Sequence, residues 1–261
     1  MNILQYLCNR FAKSIFGTNM NLIADIGNNS AKFFLFQDNQ LILHTRRTDN
    51  SFDVIKEWDN TYGIQKAIVS SVINLSDEQK NAFTQLFCPI IWFDSSVMTP
   101  LEIDYKTPET LGSDRLAAAV GAWNEKPNCN LLIIDAGSAI TIDFVEKTGI
   151  YRGGNIAPGI KMRLRSLHEY TGRLPKIEKE GETPILGKDT ETAIRSGVIR
   201  GICHEIDGYI NEFSQRFGEL YVFLTGGDEI SLKNSIKNRI FADKYLVAKG
   251  LNRILNEYDN I

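Results

Sequence analysis

The residues best equipped for chemistry in this chain are carboxylates set beside glycines. The run Asp25-Ile26-Gly27-Asn28-Asn29-Ser30-Ala31-Lys32 brings together an acid, a glycine, hydrogen-bonding side chains and a cation. A glycine after an acidic residue at a tight turn lets backbone N–H groups approach phosphate oxygens with no Cβ in the way. Asp25 itself would repel bare phosphate, so its natural partner is a magnesium ion or that ion's water shell. An isolated Asp-x-Gly is equally a common turn, but this one recurs. Leu-Ile-Ala-Asp-Ile-Gly at 22–27 is echoed by Leu-Ile-Ile-Asp-Ala-Gly at 132–137, and Ser138 follows as a hydroxyl. A further glycine turn, Thr225-Gly226-Gly227-Asp228, follows the apolar stretch 221–224. Such a set suits a nucleotide, with phosphates at the acid–glycine turns and a nucleoside on the glycine pair.

A second constellation is Gly112-Ser113-Asp114-Arg115. A carboxylate at Asp114 can accept a hydroxyl proton and orient the nucleophile without an elevated pKa. Arg115 can grip a substrate carboxylate with two parallel hydrogen bonds. The same pair also reads as a helix N-terminal acid beside a solvated base. Tyr105 reads as a half-buried aromatic, and Thr190 as the N-cap of a helix running from Thr192. Gly153-Gly154 and Pro158-Gly159 read as turn chemistry. His44, His168 and His204 are far apart, and none reads as a metal ligand or base.

The elements that position these residues alternate. Each echoed apolar run is followed by a second β-type run, Lys32–Phe36 and Thr141–Val145, so each unit predicts a β-hairpin with Asp-x-Gly at its tip. Helical stretches fall at Asp114–Trp123 and Thr192–Phe213, which makes the class α/β. The duplication suggests two similar lobes around a cleft, an N-terminal lobe over 20–127 and a C-terminal one over 128–261. The boundary is expected near Pro127, where two asparagines also break the pattern. Residues 1–19 are read as an upstream extension. Their apolar positions are interrupted by Asn9, Arg10 and Lys13, and no small-residue cleavage site follows. An interfacial helix is the other reading of that stretch.

Composition narrows the partners. The formal charge is −3, and basic residues are scattered apart from Arg46–Arg47 and Lys161, Arg163 and Arg165. That leaves no basic face for nucleic acid or an anionic membrane. No apolar run approaches the roughly 18 residues of a membrane span. The four cysteines form no CxxC pair, which argues against zinc or a disulfide framework and fits a reducing cytosol.

Taken in order, these blocks resemble type III pantothenate kinases of the acetate and sugar kinase/Hsp70/actin superfamily. Pro108 to Arg115 resembles that family's PxxxGxDR. Gly153-Gly154-Asn155-Ile156-Ala157-Pro158-Gly159, with Leu167, Thr171, Leu174 and Pro175, resembles its GGxIxPG…L…T..LP segment. Leu186 to Thr190 with Gly197 resembles the GxxT…G block, and Leu224-Thr225-Gly226-Gly227 the TGG. The match runs from about Asn21 to Leu251. Asn29 and Ser138 depart from it, standing where the family usually has threonine; both keep a hydrogen-bonding group.

The resemblance implies two duplicated ribonuclease H-like, actin-like ATPase lobes around a nucleotide cleft. It implies ATP-dependent phosphorylation of pantothenate to 4′-phosphopantothenate, the first step of coenzyme A biosynthesis, in a cytoplasmic homodimer. Asp25, Ile26, Gly27, Asn28, Asn29, Ser30, Ala31, Lys32 and Ser138 would contact ATP with Mg2+. Asp135 would hold a monovalent cation, K+ or NH4+. Tyr105, Gly112, Ser113, Asp114, Arg115 and Thr190 would contact pantothenate, with Asp114 the general base and the pocket shared between subunits. Ala193, Gly197 and Gly201 form a small-residue stripe that would allow such an interface, or packing on the chain's own sheet. The same residues leave two other readings open. One is a related kinase for another small alcohol. The other is a catalytically silent nucleotide-binding regulator.

Overall fold

Strand β1 (Met20–Ile26) buries every residue except Met20 and Asp25, as a strand covered on both faces must. It is the centre of a five-stranded sheet in a computed structural model that describes residues 19–49, 51–94, 96–228 and 232–258. β2 (Ala31–Gln37) pairs with it antiparallel and β4 (Lys66–Ser71) parallel. β3 (Gln40–Arg47) forms one edge, alternating exposed and half-buried residues, and β5 (Ile90–Phe93) the other. Helices α1 (Asp53–Tyr62) and α2 (Asp77–Thr84) cover one face, with Ile55, Trp58 and Phe83 packed on Leu22, Ala24, Phe33 and Leu35. The expectation for residues 1–19 concerns a stretch of which 1–18 lie outside the described residues.

The second sheet repeats this plan. β7 (Asn130–Ala136) buries every residue except Asn130 and Asp135, the same pattern as β1. β8 (Ala139–Val145) flanks it antiparallel and β10 (Leu220–Thr225) parallel, with β9 (Ile150–Pro158) and β11 (Phe241–Ala242) outside them. Read outward from β9, the order β9-β8-β7-β10-β11 reproduces β3-β2-β1-β4-β5. β6 (Glu102–Ile103) adds a short strand beyond β9. The echoed hexapeptides therefore mark a duplication of whole sheets, the ribonuclease H-like pair expected from sequence.

The chain forms two compact units. The first holds the residues up to Pro100, Thr107–Gly121 and the stretch from Val247; the second holds Leu101–Lys106 and Ala122–Leu246. Within the first, helix α3 (Ser113–Glu125) meets the last helix, α6 (Leu246–Glu257), at small residues. A Cβ on Gly250 would lie 1.8 Å from the Ala117 carbonyl oxygen, so only glycine permits this crossing. The fully buried Asn21 donates at 2.8 Å to both Asn252 and Asn256, and Asn252 donates to the Asp38 carbonyl at 2.8 Å. Helix α6 is thus hydrogen-bonded to β1.

In the second unit, helix α5 (Thr190–Phe217) lays Ile194, Val198, Ile202, Ile206 and Ile210 against Leu132, Ile134, Ile142 and Phe144 of the sheet. Thr190 does not cap this helix, contrary to the sequence reading. Asp189 is the N-cap, accepting the Thr192 N–H at 2.8 Å while Thr192 closes the reciprocal bond. That N–H is the main reason the Asp189 carboxyl sits below the ordinary carboxylate range. Helix α4 (Ile160–Glu169) precedes a stretch, 171–189, with neither helix nor strand.

Candidate active site

In the first unit the β1–β2 connection is the four-residue turn Gly27–Ser30, closed by the Gly27 N–H donating to the Ser30 carbonyl at 3.0 Å. Asp25 and Lys32 face each other across the ladder, with Nζ 2.9 Å from Oδ2. Lys32 is 42% exposed, so the ion pair with Asp25 adds little stability. A Cβ on Gly27 would make only an ordinary 3.7 Å contact. The fold does not demand glycine there, and the missing side chain leaves room for a ligand. β3 adds a cation that sequence reasoning missed. Arg46 lies across the ladder from Lys32 and its Nε donates to Ser30 Oγ at 2.9 Å. Only the β2–β3 register reveals this, since in sequence Arg46 is just one of two adjacent arginines.

The second sequence constellation converges on the same strand ends. Ser70 on β4 is the parallel neighbour of Asp25, and its hydroxyl lies 2.8 Å from that of Ser113, both side chains being buried. This hydroxyl pair seats the start of α3, and with it Asp114, at the end of the sheet that carries Asp25. Asp114 accepts the Arg115 N–H at 2.8 Å. A Cβ on Gly112 would sit 2.6 Å from Asp114 Oδ1, so the glycine makes space for the carboxylate. Arg115 is only 6% exposed, which removes the solvated-base reading of the Asp114–Arg115 pair.

In the second unit Asp135 occupies the matching place, but its cross-strand neighbour is the neutral Thr141 and its parallel neighbour is Thr225. The connection to β8 is just Gly137–Ser138, with the Gly137 N–H donating to Ala139 at 3.0 Å. Two glycines crowd this turn. A Cβ on Gly226, at φ 98°, would lie 2.4 Å from both Asp135 Oδ1 and the Ala136 carbonyl. One on Gly159 would lie 2.3 Å from the Gly137 carbonyl. The Asp228 N–H also donates to Ala136 at 2.9 Å. Gly159 and Gly226 are therefore packing requirements as well as turn formers.

The remaining site residues also lie in this unit. The Tyr105 ring stands over Gly153, 3.2 Å from where a Cβ would be, and 6.3 Å from the Tyr151 ring. Tyr151, fully buried, donates to Asp143 at 2.7 Å. Thr190 is exposed on the first turn of α5, braced by Gly187, whose Cβ would strike Ala193 at 2.4 Å. Cys203 is buried and its thiol is pushed up to about 11 by burial; it takes no part in these clusters.

A profile of the type III pantothenate kinase family matches residues 21–212. The chain belongs to that family. It is 49% identical to the type III pantothenate kinase of Bacteroides fragilis, covering 92% of this chain and 99% of that one. To the type III pantothenate kinase of Phocaeicola vulgatus it is 46% identical, over 93% and 100%. Among solved structures it resembles a Campylobacter jejuni protein assigned to the Baf family of transcriptional activators, at TM-score 0.62 and 25% identity, over 92% and 100% of the two chains. Component A of the Acidaminococcus fermentans (R)-2-hydroxyglutaryl-CoA dehydratase shares the fold at TM-score 0.52 and 14% identity, over 93% and 98%. Among the described residues no helix is long and apolar enough to cross a membrane.

Proposed function

We infer that this chain transfers the γ-phosphate of ATP to the primary alcohol of pantothenate, giving ADP and 4′-phosphopantothenate in the first step of coenzyme A biosynthesis. The observation that carries the reading is the Ser70–Ser113 hydroxyl pair. Because of it, a carboxylate suited to a hydroxyl proton and a carboxylate suited to a hydrated cation belong to the same strand ends.

Each residue then has a stated task. Asp114 accepts the proton of the pantothenate hydroxyl as its oxygen attacks the γ-phosphorus and the bond to the leaving ADP oxygen breaks. Arg115, with Tyr105, Gly112, Ser113 and Thr190, holds pantothenate, the guanidinium pairing with its carboxylate. The segment Asp25–Lys32 and Ser138 receive the phosphates, and Arg46 adds positive charge beside Ser30. Magnesium commonly binds through one or two carboxylates, several waters and substrate phosphates. The residues present fit that habit, with Asp25 as carboxylate. The ion, held there, would neutralise phosphate charge. A coupled ADP-release assay, with and without pantothenate, tests the reaction; turnover on sugars with none on pantothenate would overturn it.

Asp135 holds a monovalent cation, potassium or ammonium. The support is its place at the echoed Asp-x-Gly turn, at the position on β7 that matches Asp25 on β1. The protein works in the cytoplasm as a homodimer whose duplicated halves, 20–127 and 128–261 in sequence, follow an extension at 1–19. The second half lends α6 to the first unit, and the first half lends Leu101–Lys106 to the second. The α5 stripe favours a dimer, because Gly197 and Gly201 have no neighbouring atom within 4 Å of a would-be Cβ and so do not serve packing on the chain's own sheet. Exposed Tyr170, Ile185 and Leu186 lie in the same unit. Mixing Asp114→Asn with Thr190→Arg subunits should restore up to about half of wild-type activity per heterodimer if the pocket is shared. Proven heterodimers without recovery would exclude sharing.

A further inference from the structure

The stretch 171–189 has no regular structure, yet it is tied down along its length. Leu174 and Ile177 pack against the core of the second unit. Arg195, 4% exposed, donates from Nε to the Glu178 carbonyl at 3.1 Å. Its guanidinium fills the space that a Cβ on Gly181, at φ 129°, would need. Within this strap lies Lys179, whose ammonium forms an ion pair with Asp228; the side chains are 20% and 11% exposed. Asp228 closes the glycine turn Thr225–Asp228. Its N–H holds the turn to Ala136, while Gly227 is exposed, with no atom within 4 Å of where a Cβ would be, and presents bare backbone.

We propose that Lys179 is a positioning residue for nucleotide binding, its ammonium holding Asp228 and thereby fixing the Gly226–Gly227 backbone in the conformation that receives the nucleoside. This rests on the reading of that turn as the nucleoside's seat. The physical argument is one of preorganisation. A turn with an open glycine at its tip has many conformations, and a ligand that needs one of them loses affinity in proportion to the others. A largely buried ion pair at the last residue of the turn removes most of those alternatives. Its loss leaves the Asp228 carboxylate buried without its counter-charge, which drives the turn to rearrange toward solvent.

The test uses the full-length chain and a non-hydrolysable ATP analogue with magnesium, titrated calorimetrically, alongside the KM for pantothenate. Lys179→Met should raise the Kd for the analogue about tenfold, the scale of coupling through a connecting contact. The KM for pantothenate should stay within about twofold, and Lys179→Arg should bring the Kd back to within about threefold of wild type. The double variant Lys179→Met/Asp228→Asn removes both charges, leaves none buried alone, and should show the same affinity loss. A folded double variant with unchanged analogue affinity would overturn the proposal. So would an equal loss for nucleotide and pantothenate, which marks general damage. Should the wild type bind the analogue but fail to phosphorylate pantothenate, the functional reading falls while the affinity comparison still decides the role of Lys179. Wild type without affinity for the analogue would overturn both.

Discussion

The two hairpins that carry Asp25 and Asp135 share strand order, burial pattern and a hydroxyl neighbour on the parallel strand, yet they treat their carboxylates differently. In the first, Asp25 faces Lys32, the turn has four residues, and its glycine is free of packing demands. In the second, Asp135 faces Thr141, the turn has two residues, and Gly159 and Gly226 press on it so closely that neither can carry a side chain. Duplication supplied one scaffold twice. The first copy kept an adaptable charged tip, with Asp114 seated at its strand ends. The second became a rigid tip whose carboxylate has a neutral partner across the ladder. On the proposed reading, charge balance and local room, rather than strand order, separate a reacting end from a holding end.

The sharpest way to break this contrast is at the reacting end. Asp114→Asn should lower kcat by about 10²- to 10⁴-fold with nucleotide affinity nearly unchanged, read by steady-state kinetics and analogue titration. Retention of most turnover would leave Asp114 as a helix-terminal acid and dissolve the division of labour. Next comes the holding end. Asp135→Asn should cut kcat/KM for ATP about 10- to 100-fold, the scale of lost charge-assisted contacts. Thr141→Lys would make the second hairpin resemble the first, and its activity should no longer respond when potassium replaces sodium. Equal wild-type rates in the two salts would remove the reason for the contrast.

The glycines give a smaller, separable effect. Gly226→Ala meets both a positive φ and backbone atoms 2.4 Å away, and should destabilise the protein by about 1–3 kcal/mol in thermal unfolding. Gly27→Ala should leave the melting temperature within about 1 °C while weakening nucleotide binding, because only a ligand needs that space. Smallest of all is the second unit's core thiol. Burial raises Cys203 to about 11, so as pH climbs from 9 the unfolded chain ionises this group first and the folded state loses stability. Alkylation at pH 8 should accordingly modify Cys88 and Cys129, both only half-buried, before Cys203. Faster reaction at Cys203 would mean that the α5 layer opens readily.

Much of this was legible in the sequence because it rests on local rules. Buried strands, the repeated acid–glycine tips and the long α5 follow from apolar runs and turn residues close together in the chain. The helix cap was missed by one position because Asp189 and Thr190 both have capping side chains, and the carboxylate is the stronger acceptor. Arg46 was invisible as a cation beside the first turn, since its place depends on β2–β3 register. Lys179 stood out by no motif at all. Its partner Asp228 lies far along the chain, and only the path of an irregular strap brings the two together.

The hydrogen bonds from Asn21 to Asn252 and Asn256 carry a consequence for birth on the ribosome. The first unit's opening strand emerges early, but the helix that Gly250 lets settle onto Ala117 is made only after the whole second unit has been translated. That intervening synthesis takes roughly 6–25 s at ordinary elongation rates. The unit begun first is therefore finished last, and until then the nascent chain carries an uncovered face of α3 and a buried-type asparagine without its final partners.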